Sequence, residues 1–262
     1  MERIVQDALG RSVTYTYPPK RIISLCPGIT DTLFALDLQE EIVGRTRFCI
    51  HPSPAVLDVK AIAGTKDIKL DAILQLKPDL IIAEKEENTK EIVEALEQHL
   101  PVYVAEVQCV QEAYTMIEDI GDVTDRRNEA RSLISEIQAG FHSLQGLTSG
   151  SAMYVIWKKP YMAAGRTTYI DSLLESLGFS NPIRILPGRY PELTTHDFES
   201  ANPDLVLLAS EPYPFKEKHV PEFQEMLPNA TILPIDGEMF WYGPRMLEAT
   251  SYFKEWLSKA YL

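Results

Sequence analysis

The strongest constraint on this chain is its rhythm: short apolar runs alternate with stretches of helical periodicity, and the alternation breaks once and begins again. Residues 1–20 read as an edge β-hairpin turning near Gly10. Strands are then expected at 21–25, 42–43, 80–83 and 102–104, with helices at 31–36, 70–76, 89–99 and 111–120. The second series has strands at 152–157, 205–208 and 232–235, and helices at 169–177, 197–201, 215–226 and 246–260. Strands alternating with helices imply parallel sheets.

Between the two series lies residues 124–145, where Ala130, Leu133, Ile134, Ile137, Phe141 and Leu144 recur at three- and four-residue steps. Thr124 or Asp125 is expected to cap the start of that helix, and Gly146 suits the left-handed position that ends one. At about 1.5 Å per residue the helix would be roughly 33 Å long. Its stripe predicts burial of Leu133, Ile134, Ile137 and Phe141, with Arg127, Arg131 and Gln138 exposed. The expected architecture is therefore α/β: two Rossmann-like lobes with parallel sheets, residues 1–121 and 148–262, joined by one long backbone helix within 122–147. Two short similarities suggest that the lobes are versions of one unit. Asp31-Thr32-Leu33-Phe34 resembles Asp171-Ser172-Leu173-Leu174, and Pro78-Asp79-Leu80-Ile81 resembles Pro203-Asp204-Leu205-Val206.

A length of 262 residues allows two cores, and 45% hydrophobic with 24% charged residues is the composition of a soluble globular protein. A net charge of −13 argues against nucleic acid and against anionic membrane surfaces as partners. No apolar window approaches the ~18 residues of a membrane span, and the first residues lack the apolar run of a signal peptide. The expectation is a cytoplasmic protein as written, or a periplasmic or cell-surface one if an export signal was removed. Three cysteines, Cys26, Cys49 and Cys109, leave at least one thiol outside any internal disulfide, which leans towards a reducing compartment.

Ligands of open parallel sheets bind outside the carboxyl ends of the strands. The segments expected there carry Phe48, Cys49 and His51 after residue 43, and Glu86 and Asn88 after residue 83. Trp157 leads into a third, Phe215 and Lys216 follow residue 209, and Trp241, Tyr242 and Arg245 follow residue 235. Arg189 and Tyr190 add a loop of the same character. Aromatic faces with a few charged groups are what a small-molecule cleft uses. For any one of these residues an ordinary surface loop is the simpler account; their concentration at one end of the strands is what points to a cleft. Cys49 and His51 are the candidate metal ligands, although one residue between them matches no common zinc spacing. No phosphate-binding glycine loop and no Gly-x-Ser-x-Gly elbow occurs, so no residue is assigned a catalytic role.

Pro18-Pro19-Lys20-Arg21-Ile22-Ile23-Ser24-Leu25, Gly28-Ile29-Thr30-Asp31 and Leu76-Lys77-Pro78-Asp79-Leu80-Ile81-Ile82-Ala83 resemble the helical-backbone (class III) substrate-binding proteins. These are the receptors for cobalamin, ferric siderophores and haem that serve ABC importers. Gly64-Thr65-Lys66, Lys85-Glu86-Glu87-Asn88, Arg189-Tyr190-Pro191-Glu192 and Phe215-Lys216-Glu217-Lys218-His219 look most like one subgroup of that family. The resemblance implies two α/β lobes, one joining helix, and a ligand cleft between lobes that close only slightly. It also implies a non-catalytic, monomeric protein that requires no cofactor and binds a corrinoid, haem or ferric chelate. Trp157, Trp241, Tyr242 and Phe215 would stack on the ligand, while Arg189, Arg245, Lys66 and Lys216 would neutralise anionic groups. Phe48, Glu86, Asn88 and Tyr190 would complete the contacts, and Cys49 or His51 could supply an axial ligand. The alternative is a cytoplasmic enzyme or a ligand-sensing module using the same cleft. Exported members dock on a permease through an acidic residue on each lobe, eight residues before the Asp of the Pro-Asp dipeptide. Those positions are Asp71, shorter than the usual Glu, and His196, with Asp197 alongside. An ABC permease is the implied partner, and the departures from Glu set that implication apart from the cleft.

Overall fold

The computed structural model describes residues 1–146 and 148–261, with side chains through 257. Residue 147, the last of the expected joining segment, and residue 262 lie outside the described residues. The chain divides into two compact units, Met1–Val107 with Gln111–Glu136, and Gln108–Val110 with Ile137–Leu262.

In the first unit, β1 (Glu2–Gln6) and β2 (Ser12–Thr16) pair antiparallel as a two-stranded sheet of their own. The chain then runs through β3 (Ile22–Ser24), α1 (Pro27–Ala35), β4 (Ile42–Thr46), β5 (Ala61–Ala63), α2 (Leu70–Gln75), β6 (Leu80–Glu84), α3 (Lys90–Glu97) and β7 (Val102–Ala105). The five strands β3 to β7 form a wholly parallel sheet in the order β5-β4-β3-β6-β7. Every residue of β3, β6 and β7 is buried, as expected of strands covered on both faces. Ile23, Leu25, Ile73, Ile81, Ala83, Val93 and Val104 make one core cluster. Because β3 is central, the chain leaves it to one side through β4 and to the other through β6. That reversal makes the carboxyl end of β3 the crevice where doubly wound sheets take ligands.

The joining region differs from expectation. In place of one helix starting at residue 124 there are two, α4 (Val110–Thr124) and α5 (Arg127–His142). Thr124 closes α4 and turns its hydroxyl back to the Ile120 carbonyl at 2.6 Å, while Asp125 takes a φ of +63°. Neither caps α5. The stripe itself appears largely as predicted: Ala130, Leu133, Ile137, Phe141 and Leu144 are buried, Ile134 is half-buried, and Arg127, Arg131 and Gln138 are exposed. The division between the units falls inside α5, between Glu136 and Ile137. Gly146 has the expected positive φ of 76°.

The second unit contains β8 (Ala152–Trp157), β9 (Tyr161–Ala163), α6 (Tyr169–Ser176), β10 (Glu192–Leu193), α7 (Thr195–Ala201), β11 (Leu205–Ala209), α8 (Val220–Met226), β12 (Thr231–Ile235) and α9 (Arg245–Tyr261). Its sheet, β10-β9-β8-β11-β12, is mixed where a parallel one was expected. β8, β11 and β12 run parallel, but β9 folds back on β8 and β10 pairs antiparallel with β9. Both added strands are only two or three residues long and are flanked by Pro160, Gly165 and Pro191, which hid them from a periodicity reading. The Pro-Asp similarity has a structural counterpart. Asp79 accepts hydrogen bonds from the Lys20 and Arg21 amides just before β3, and Asp204 accepts one from the Ser151 amide just before β8. In each unit the aspartate that enters a later parallel strand, β6 or β11, ties down the start of the first one beside it, β3 or β8.

Candidate functional site

At the carboxyl edge of the first sheet the loops are tied to one another by a few buried side chains. Asn88, 2% exposed, donates to the Leu25 carbonyl after β3 at 3.2 Å and to the Thr65 carbonyl after β5 at 2.9 Å, and accepts from the Glu84 amide. Its amide group is therefore used in holding loops together. Glu84, the last residue of β6, has a similar job that sequence reading missed. Its carboxyl accepts from the Glu86 amide at 2.7 Å, the Glu87 amide at 3.0 Å and the Val107 amide at 3.3 Å. Burial pushes its pKa up to about 7. Burial also raises the Glu87 carboxyl, against the pull of Lys66. Glu86 and Lys66 are exposed at the loop surface.

The strand expected to stop at residue 43 continues to Thr46, so the following loop starts later than predicted. In it Phe48 is 48% exposed, with the Arg47 guanidinium 4.8 Å from its ring centroid and Arg47 paired to Asp67 at 3.1 Å. Cys49 points the other way. It is fully buried, its sulfur lies 3.1 Å from the Thr46 hydroxyl, and burial raises its pKa, which disfavours the thiolate that binds metal. His51 is half-buried. Among the described residues no group of three or more His, Cys, Asp and Glu side chains is arranged to hold a metal ion.

The carboxyl edge of the second unit's parallel strands is aromatic. Trp157, at the end of β8, is 39% exposed and meets Tyr213 edge-on with ring centroids 5.7 Å apart. The Tyr213 amide bonds the Ile156 carbonyl, so the loop after β11 is stitched to the end of β8. Phe215 is buried instead of presented: it belongs to the core with Val206, Leu208 and Phe223. Tyr213, half-buried two residues earlier, is the loop's accessible ring, and nothing in the sequence pattern separates the two. Lys216 is exposed. Trp241 donates its indole N–H to Glu211, and Tyr242 packs edge-on against Tyr169 at the start of α6, 5.6 Å between centroids. Arg245, 8% exposed, pairs with Glu248 at 2.7 Å and lies 3.8 Å from Glu238. Arg189 and Tyr190 are half-buried in a separate loop, where Arg189 donates to the Thr167 carbonyl at 2.9 Å.

A second network missed by sequence reading lies beneath Trp157. Glu222 on α8 accepts from both Lys158 and the Tyr161 hydroxyl, clasping the turn between β8 and β9. Burial works against the Glu222 charge, but these two bonds prevail and hold its pKa below the usual range. Burial followed by the Glu222 hydrogen bond raises Tyr161 to about 12.

The periplasmic binding protein profile matches residues 22–227, which takes in every parallel strand of both units except β12. The vitamin B12-binding protein of Vibrio cholerae serotype O1 is 31% identical over 198 residues, covering 72% of this chain and 70% of that one. The chain belongs to the periplasmic binding protein family. An ABC transporter substrate-binding lipoprotein of Bacillus subtilis is 24% identical over 218 residues, 78% of this chain and 68% of its own. The periplasmic haem-binding protein of Vibrio cholerae shares the fold, with a TM-score of 0.78 at 19% identity over 92% of this chain and 99% of that one. By its family this chain is a substrate-binding protein.

The docking positions implied by the resemblance occupy matching places. Asp71 is exposed in the first turn of α2, the helix before β6, and His196 is exposed in the first turn of α7, the helix before β11. Asp197 is engaged instead in the α7 capping box, accepting from the Thr194 amide at 2.7 Å and hydroxyl at 2.6 Å. No helix among the described residues is long and apolar enough to cross a membrane.

Proposed function

We propose that this chain is the substrate-binding component of an ABC importer for a metal chelate of the corrinoid, haem or ferric-siderophore class, binding it without covalent chemistry. The observation that carries the reading is the aromatic edge of the second unit. Exposed Trp157 meets half-buried Tyr213 edge-on, and Trp241 is fixed by Glu211 on a neighbouring loop. Rigid rings held by hydrogen bonds give contact area at little entropic cost, which suits a large, flat or ring-shaped ligand. The names of the relatives, which bind vitamin B12 and haem, support the same class. Tyr242, packed against Tyr169, supplies a further face in the same unit.

Calorimetric and absorbance titration of the purified protein with cyanocobalamin, haemin and ferric siderophores tests the proposal. A saturable heat with one of them, accompanied by quenching of tryptophan fluorescence, is the expected result. No heat and no spectral change with any of the three would sink it, and steady conversion of a ligand would favour an enzyme.

A further inference from the structure

From its charge pairing we infer that this site selects chelates of little or no net charge and discriminates against polyanionic ones; this rests on the binding role proposed above. The resemblance implied cations ready to neutralise an anionic ligand. The structure instead matches two sheltered cations at the carboxyl edge of the second unit with carboxylates of that unit. Arg245, whose side chain is 9% exposed, is paired with Glu248 and has Glu238 nearby. Lys158, 15% exposed, is paired with Glu222. In the first unit Lys85 pairs with Glu106 and Arg47 with Asp67.

Depth decides which charges matter. A cation in a sheltered loop acts through a low local dielectric, whereas an exposed one such as Lys216 is screened by salt within about 10 Å. To bind an anionic group, Lys158 or Arg245 would have to share its charge with the carboxylate it already holds, Glu222 or Glu248, and the incoming anion would sit beside that carboxylate. A pair already at zero net charge offers an anion little attraction. The polar rim that remains, amides and carbonyls of short loops beside exposed rings, suits a chelate whose periphery carries amides and not carboxylates.

Three probes test this: cyanocobalamin and ferrichrome, both without net charge, and the trianion ferric enterobactin, which is similar in bulk to ferrichrome. The better of the two neutral probes is expected to bind at least tenfold more tightly than the trianion, with an affinity unchanged between low and high salt. Glu222→Gln, which leaves Lys158 unmatched, should shift the ratio of affinities towards the trianion by about fivefold. The salt series on the unaltered protein needs no variant, so a misfolded Glu222→Gln does not protect the inference. Tighter binding of the trianion, or strong weakening of the preferred probe by salt, overturns the charge selectivity and leaves the binding role standing. Absence of binding by all three overturns the charge selectivity, and if haemin also fails to bind, the binding role falls with it.

Discussion

Asn88 and Glu84 are neighbours in one loop with opposite chemistry and the same duty, which is to hold backbone in place. Glu84 does so with a titratable group, and that has a consequence for stability. Its folded pKa is raised to about 7 from an ordinary 4.5 by burial, so the folded protein keeps the proton over a range where the unfolded chain has lost it. The contribution is fully present below the unfolded value and is lost as pH rises through the folded one. The gap corresponds to something on the order of 3 kcal/mol. Glu87, Asp119 and Asp171 are raised by burial too and act in the same direction. Urea denaturation between about pH 5 and pH 8 should therefore show falling stability, and Glu84→Gln should flatten a large part of that fall. An identical pH profile in the variant would mean that Glu84 is not the titrating group.

At the scale of elements, the decisive contact is where α4 meets α5. The chain reverses over Asp125 and Arg126, and the Arg126 amide bonds the Gly121 carbonyl at 2.7 Å. A Cβ on Gly121 would lie 2.5 Å from the Ala130 Cβ and 2.9 Å from the Arg126 carbonyl oxygen. Glycine within a helix ordinarily costs about 1 kcal/mol relative to alanine, so Gly121→Ala would stabilise an isolated α4. In the folded protein the overlap dominates, because backbone and a packed methyl cannot yield as a long side chain can. The variant is expected to lose about 1–3 kcal/mol, read as a lower urea midpoint at unchanged slope. A higher midpoint would show that the helices separate easily. The N-terminal hairpin braces the same corner, with the Tyr15 hydroxyl on the Val123 carbonyl at 2.9 Å and Arg3 on the Asp122 carbonyl at 2.8 Å.

For the molecule as a whole, two units with separate cores imply two regions of slow opening. β3 and β6 are fully buried in the first unit and β11 in the second, where β8 pairs beside it. Hydrogen exchange is expected to be slowest at these strands, with the β1–β2 hairpin much faster because it forms a sheet of only two strands. One slow core confined to a single unit would contradict this. The repeated tie of a Pro-Asp aspartate to the amides before the first strand, at Asp79 and at Asp204, gives each unit the same starting clamp. It is the clearest physical sign that the second series of elements repeats the first.

Much of this was already written in the chain. Strands buried on both faces are continuous apolar runs, so β3, β6, β8 and β11 were legible, as was the stripe of α5, because periodicity records which face is covered. The segments Pro18–Leu25, Gly28–Asp31 and Leu76–Ala83, which take in β3 and most of β6, identified the family as well, and the ends of the strands located the loops that carry Phe48, Trp157, Trp241 and Tyr242. Tertiary structure alone decided how each loop side chain is used. Phe215 and Tyr213 differ by two positions in one loop, yet one fills the core and the other stands at the edge. Arg245 looks like a free cation until Glu248 and Glu238 are found beside it, and Cys49 looks like a ligand until its loop turns it inward. Such choices depend on partners distant in sequence, or on the exact path of an irregular backbone, and neither leaves a periodic trace.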